Sequence, residues 1–286
     1  MSRLRIRHET VYSFETLVNF GVWRLMMRPV DTHAIRVLDA SFELSPPGST
    51  RWALDAFGNC VCLFQPQGPA NELRVVNHLL IERYPAPLDL AFDPTAVVDN
   101  EEERNLVLAP FSLPVTSGDR DFNYRAWLTF HAPEPGEAPL DFLKRFNSAI
   151  RAEFAYATRD EEGVQTPLET IERKAGACRD FAWLMIESMR RWGVASRFVT
   201  GYLYSPNAAI RGAGATHAWC EAFLPDLGWI EFDPTNGLAE SPDLIRVAAT
   251  RTPQEASPMS GGAIGTAESA LEVHVSVSLA SETQNA

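Results

Sequence analysis

The chain has no long apolar run. Nowhere in its 286 residues do about 18 apolar residues follow one another, so the sequence offers no membrane-spanning helix. Its first residues, Met1 to Phe14, carry basic side chains but not the apolar stretch of a secretory leader. Cysteine is sparse: Cys60, Cys62, Cys178 and Cys220 are too few for a disulfide framework in a chain of this size. Cys60 and Cys62, one residue apart, would share one side of a strand and are poorly set to pair with each other. Basic residues are outnumbered, 25 against 37 acidic, and the net charge of −12 argues against partners captured by basic patches, namely nucleic acid and anionic membranes. No internal repeat is present. These absences point to a cytoplasmic protein with reduced thiols. What remains is an ordinary globular composition, 45% hydrophobic and 22% charged, in a chain long enough for one large domain or two modest ones.

Patterning divides the chain. Residues 1–105 read as a β-rich N-terminal domain. Leu4, Ile6, Val11, Tyr12 and Phe14 suggest an opening strand, and Arg36 to Leu44 a second. Arg51 to Gln65 suggests a hairpin turning at Asp55-Ala56-Phe57-Gly58-Asn59, where Gly58 and Asn59 suit positive φ. Glu72 to Tyr84 reads as a half-buried strand stopped by Pro85 and Pro87. Residues 106–139 read as a linker rich in charge and proline. Helical spacing then begins near Pro139 with Phe142, Phe146 and Ile150. Thr166-Pro167-Leu168-Glu169 has the cap, proline and acid of a helix start, and another helix runs from about Cys178 to just before Gly193. Strands follow at Ser196 to Leu203, Ala215 to Leu224 and Trp229 to Phe232, completing a core over 140–245. Within 246–286, Thr250 to Gly265 reads as a flexible loop, and Leu271 to Val277 alternates as a last strand.

The residues that carry chemistry lie between Gly176 and Asn236. A cysteine in the first turn of a helix faces unpaired N–H groups and the positive end of the dipole, which favour thiolate over thiol and steady an oxyanion. Cys178 fits that description, and Asp180 complements the same dipole. His217, on a strand, is the side chain suited to exchanging a proton with a thiol near neutral pH. Cys220, an odd number of residues away, should face the opposite side as a core thiol. That opposition, and the lack of a close ligand pair, also weigh against a metal site built from Cys178, His217 and Cys220. Two carboxylates on one face of the next strand, Glu231 and Asp233, compete to orient the histidine, and spacing alone does not separate them.

Gly176-x-Cys178-x-Asp180-Phe181-Ala182, Gly201-Tyr202, His217-Ala218-Trp219 and Gly228-Trp229…Asp233-Pro234-Thr235-Asn236 together resemble the core of the transglutaminase-like superfamily. The resemblance is to its bacterial and archaeal branch. It is strong over 140 to 240 and looser through His8…Tyr12, Arg28-Pro29 and Asp55-x-Phe57-Gly58-Asn59. It implies an α+β fold: a papain-like core of helices packed on an antiparallel sheet, behind a β-rich N-terminal domain. It also implies a catalytic triad of Cys178, His217 and Asp233, choosing Asp233 over Glu231, with Tyr156 similar to an aromatic position that can donate to an oxyanion. Arg179 departs from the family, where glutamine is frequent. No EF-hand-like acidic loop is present, so neither calcium nor any other metal or cofactor is implied. The implied activity is that of a cysteine peptidase or amidase acting on a peptide or protein substrate through a thioester. Protein-glutamine transamidation and a non-catalytic binding scaffold are the competing readings.

Overall fold

Alternation along the first strand decides where the N-terminal core lies. In the computed structural model, which describes residues 2–84, 101–116, 121–159, 161–204, 211, 214–225, 227–264 and 269–280, β1 (Ser2–Phe20) turns Leu4, Ile6, His8 and Thr10 inward. The other N-terminal strands are β2 (Trp23–Leu25), β3 (Ile35–Ser45), β4 (Gly48–Leu54), β5 (Cys60–Pro66) and β6 (Ala70–Arg83). β6 pairs antiparallel with both β1 and β3, while β5 pairs with β2 and β4. Phe14, Phe20, Trp23, Leu25, Phe64, Leu73 and Val75 fill the space between these two sheets. The hairpin β4–β5 turns where the sequence predicts. Gly58 takes φ 80°, and Asp55 Oδ1 accepts from the N–H groups of Phe57 and Asn59, both at 2.9 Å. Asn59 itself keeps a negative φ. Its amide instead exchanges two 2.9 Å hydrogen bonds with the backbone of Ala249, tying the turn to the other half of the molecule.

The second half is a five-stranded antiparallel sheet carrying helices. Its elements begin with α1 (Glu101–Ser112), α2 (Phe122–His131), α3 (Pro139–Glu153), β7 (Ala155–Tyr156), α4 (Pro167–Arg173), β8 (Ala175–Gly176) and α5 (Cys178–Arg191). The strands β9 (Ser196–Leu203), β10 (His217–Leu224), β11 (Gly228–Asp233), β12 (Leu238–Ala239) and β13 (Leu244–Thr250) follow, and their order in the sheet is β12-β11-β10-β9-β13. Phe181, Leu184, Met185 and Met189 of α5 pack on Phe198, Ala218, Cys220, Ala222 and Phe232 of the sheet, with Phe142, Phe146 and Ile150 of α3 on the outer side. The expected helix over Phe142, Phe146 and Ile150 is buried there because its apolar stripe is continuous. α4 starts with a full capping box between Thr166 and Glu169. The architecture is α+β, as the resemblance implies.

Two segments differ from the sequence reading. The stretch 106–139, read as a linker, is largely helical. α1 buries only Leu108 and so shows almost no apolar period, while α2 is capped by Asp121, which accepts from Tyr124 N–H at 3.0 Å. The stretch Thr250 to Gly265, read as a flexible loop, is pinned across its described part. Thr200 Oγ1 donates to Ala256 O, Met26 N–H to Pro258 O and Gly21 N–H to Gly262 O, and the short strands β14 (Met259–Ser260) and β15 (Ala263–Ile264) pair with β2 and β1. Its backbone carbonyls accept from groups on neighbouring strands, a role that composition does not encode. The final strand, β16 (Ser269–Leu279), returns to the N-terminal sheet against β1. Pro85 and Pro87 lie outside the described residues.

The two halves share a core. Leu4, Ile6, Ile35, Leu79 and Ile81 meet Tyr202, Ile245 and Val247, and the Tyr202 hydroxyl joins His8 Nδ1 (3.1 Å) and Met27 O (3.1 Å). Among the described residues no helix is long and apolar enough to cross a membrane.

Candidate active site

Cys178 is the first residue of α5, so the helix axis and the β8 segment before it fix where its thiol points. Gly176 is needed at the approach: a Cβ there would meet Asp180 Cβ at 3.0 Å and the Phe181 ring at 3.1 Å. It also pairs with Tyr156 in the two-residue parallel ladder β7–β8, which brings Tyr156 alongside the start of the helix. Asp180, fully buried, is more than a dipole partner. Its carboxylate accepts from Ala177 N–H (2.8 Å), Gln165 N–H (2.8 Å) and Arg159 Nη1 (2.7 Å), gathering the loop before α4 onto the helix end. Arg179 grips the same loop through the carbonyls of Gly163 (2.7 Å), Glu161 (2.7 Å) and Arg159 (3.1 Å). Its guanidinium is thereby committed to backbone.

His217 opens β10, paired with Gly201 of β9. A side chain on Gly201 would collide with Ile245 O at 2.1 Å and the Trp219 ring at 2.8 Å, which explains the glycine. His217 is buried, and its Nε2 hydrogen-bonds Asp233 Oδ2 at 2.8 Å. Asp233 ends β11, and the residues after it complete its coordination. Thr235 N–H donates to Oδ1 at 2.9 Å and Asn236 Nδ2 to Oδ2 at 2.8 Å. The Nδ1 of His217 is buried and has no hydrogen-bond partner among the described residues, and the Cys178 thiol is among the groups that raise the imidazolium. Glu231 takes a different place: its Oε1 accepts from Trp219 Nε1 at 3.3 Å, and Trp219 stacks against His217 with ring centroids 6.0 Å apart. The structure therefore brings Cys178, His217 and Asp233 together and leaves Glu231 one residue removed. Cys220 lies in the core under α5, its thiol donating to Phe232 O at 3.3 Å.

The electrostatics follow from burial and pairing. Burial alone would raise the Cys178 thiol, but the hydrogen bond and charge of His217, with the Ala218 N–H, outweigh it and hold the thiol below its ordinary value. Burial works against the His217 imidazolium, yet Asp233 and Cys178 raise it to about 10. Asp233 is likewise opposed by burial and kept below the usual carboxylate range by His217, Asn236 and Thr235. The Tyr156 phenol is raised by burial and by the negative charge of Cys178. By contrast burial pushes Cys62 up to about 11 and raises Cys220 well above the ordinary thiol range.

Comparison with known proteins bears on the family and the fold. Residues 129–234 match the transglutaminase-like superfamily core, and residues 4–82 match the bacterial transglutaminase-like N-terminal region, together more than half of the chain. The chain belongs to the transglutaminase-like superfamily. Uncharacterized proteins of Mycobacterium leprae (24% identical over 97% of this chain and 99% of that protein) and Mycobacterium tuberculosis (28% over 91% and 87%) are similar along nearly their whole length. The solved structure of a proposed cysteine protease from Cytophaga hutchinsonii superposes with a TM-score of 0.71 at 20% identity, over 99% of this chain and 92% of that one, which shows the shared fold.

Several residues around this transglutaminase-like site carry no pattern in the sequence. Arg159 and Gln165 reach Asp180 from a loop, and Arg211 reaches Asn236 from another. Glu231 is set against Glu221 across the β10–β11 ladder. Burial first, and Glu221 second, raise its carboxyl from 4.5 to about 8. Between those two values the folded chain holds a proton that the unfolded chain has released, so Glu231 makes stability fall as pH rises through this window and level off above it. In Glu231→Gln, denaturant midpoints measured from pH 5 to 8 are expected to lose that decline. A slope equal to the parent's would assign it to other groups.

Proposed function

We propose that this chain is a thiol enzyme that cleaves peptide or isopeptide carboxamides of a protein or peptide substrate, with Cys178 as nucleophile, His217 as acid and base, and Asp233 as the orienting residue. The observation that carries this reading is the His217–Asp233 hydrogen bond, which leaves the other ring nitrogen unpaired, with the helix-end Cys178 thiol lowered and the imidazolium raised. In the resting pair the proton sits on the imidazole. The Cys178 thiolate attacks the carboxamide carbon, and the carbonyl electrons move to oxygen. The first-turn N–H groups of α5, with Tyr156 as a further donor, stabilise that oxyanion. His217 then gives its proton to the departing nitrogen, leaving a thioester. A water molecule loses a proton to His217 and attacks the thioester, which releases a carboxylic acid and restores the pair. We favour water over an amine as the acceptor that resolves the thioester. We place the reaction in the cytoplasm, where four free cysteines stay reduced.

The test is incubation with glutamine-bearing and isopeptide-linked peptides plus a biotinylated amine, read by mass spectrometry. Hydrolysed products without biotin are expected, together with an acyl adduct on Cys178, and Cys178→Ala should abolish both. Biotin incorporation would make the enzyme a transamidase. Turnover undiminished in Cys178→Ala would remove the thiol mechanism altogether.

A further inference from the structure

We propose that Glu231 is a positioning residue for His217, holding the Trp219 indole against the face of the imidazole. The inference rests on reading Cys178, His217 and Asp233 as the reacting centre. In each turnover His217 takes up and gives back a proton, so its ring has to keep one plane while its charge changes. Asp233 fixes one point of that ring, Nε2, at 2.8 Å, and a single hydrogen bond leaves the ring free to tilt about it. Trp219 supplies a second restraint. It lies two residues along β10 on the same side of the strand and is wholly buried. Its indole is nearly parallel to the imidazole, with 27° between the planes and 6.0 Å between the centroids. The indole is held at both ends. Its benzo edge fills the space above Gly201, the strand partner of His217, where a Cβ would stand 2.8 Å from Cη2. Its other edge donates from Nε1 to Glu231 Oε1 at 3.3 Å. Glu231 precedes Asp233 by two residues on the same face of β11. One strand thus carries both restraints, Asp233 on the imidazole and Glu231 on the indole that covers it.

Packing does not account for an acid at 231. Glu231 faces Glu221 directly across the β10–β11 ladder, and like charges so placed are destabilising. The nearby cations are engaged elsewhere. Arg197 of β9 pairs with Glu221, Arg246 of β13 stands 3.6 Å from the same carboxylate, and Arg83 of β6, whose charge also reaches Glu231, gives its Nη1 to Leu244 O. What the acid at 231 does supply is an acceptor for the buried indole N–H, a donor that would otherwise go unpaired.

Iodoacetamide labelling of Cys178 in the full chain, across a pH series and with melting temperatures measured alongside, tests the role. Glu231→Leu removes the acceptor and is expected to slow labelling at pH 6.5 about fivefold and to carry the pH profile upward, while Glu231→Gln, whose amide oxygen still accepts from Trp219, stays within about twofold of the parent. Trp219→Phe keeps an aromatic face but lacks the N–H donor; it should match Glu231→Leu, and combining the two should add little to either alone. Equal slowing in the Gln and Leu variants overturns the proposal, since the charge of Glu231 would then be what matters. A lowered melting temperature with an unchanged pH profile also overturns it, making the residue structural only. So does a double variant slowed by the product of the single effects, which would make the two residues independent. A misread thiol centre shows differently, as a parent Cys178 no more reactive than Cys60.

Discussion

Replacing His217 by alanine is expected to slow alkylation of Cys178 by iodoacetamide about a hundredfold at pH 6.5. The cause is the opposition of burial and pairing at the sulfur. Burial disfavours the thiolate, and the hydrogen bond and positive charge of His217 do most to reverse this. Without the imidazole, Cys178 returns to at least the ordinary thiol range near 8.5, where roughly one thiol in a hundred is ionised at pH 6.5. The remaining burial pushes it further up. The pH profile carries the same information with a definite sign. The parent should keep its reactivity as pH falls below the ordinary thiol range, whereas the variant should lose about tenfold per unit over the same interval. Peptide mapping provides the internal controls. Cys62 and Cys220, buried and raised, should stay inert in both proteins, and the partly exposed Cys60, which has Arg28 but no imidazole beside it, gives the reference rate. Equal reactivity of Cys178 and Cys60 in the parent would defeat the claim of an activated thiolate.

The second large effect is on stability. Asp180→Ala is expected to cost about 3–5 kcal/mol and to lower the melting temperature by on the order of 10 °C. Asp180 is wholly buried and accepts from three groups, two of them backbone N–H donors and one the Arg159 guanidinium. Removing the carboxylate leaves the two N–H groups unpaired and takes from a part-buried cation the nearer and more buried of its two carboxylates, Glu161 being the other. The loop before α4 would lose one of its two fastenings, and Arg179 would hold it alone. Calorimetry of the variant checks the magnitude. A loss below about 1 kcal/mol would mean that water replaces the carboxylate and that the cluster is not the anchor of the helix end.

Much of the second half was legible because its local signals agree with its tertiary role. The Thr166-Pro167 cap, the stripe of Phe142, Phe146 and Ile150, and Gly193 after the last turn of α5 mark their elements without reference to the rest of the chain. Alternation along β10 separates Cys220 from His217 for the same reason, since a two-residue period is a property of the strand itself. α1 was not legible, because a helix with one buried residue has no face to display. The segment around Pro258 and Gly262 was not legible either, because its order comes from hydrogen bonds to β1 and β2, far away in sequence.

The residue types and their order determined by themselves that a thiol, an imidazole and two candidate carboxylates belong to one short stretch of chain, and the family resemblance named Asp233. Only the tertiary structure decided the partners. Asp233 sits at the end of β11, where Thr235 and Asn236 fold back on it and His217 lies within 2.8 Å; Glu231, two residues earlier, is turned to Trp219. Both point to the same side of the strand, so the distinction lies in how β10 and β11 are registered against each other and where each ends. Register is set by pairing across the sheet, and no spacing within one strand contains it.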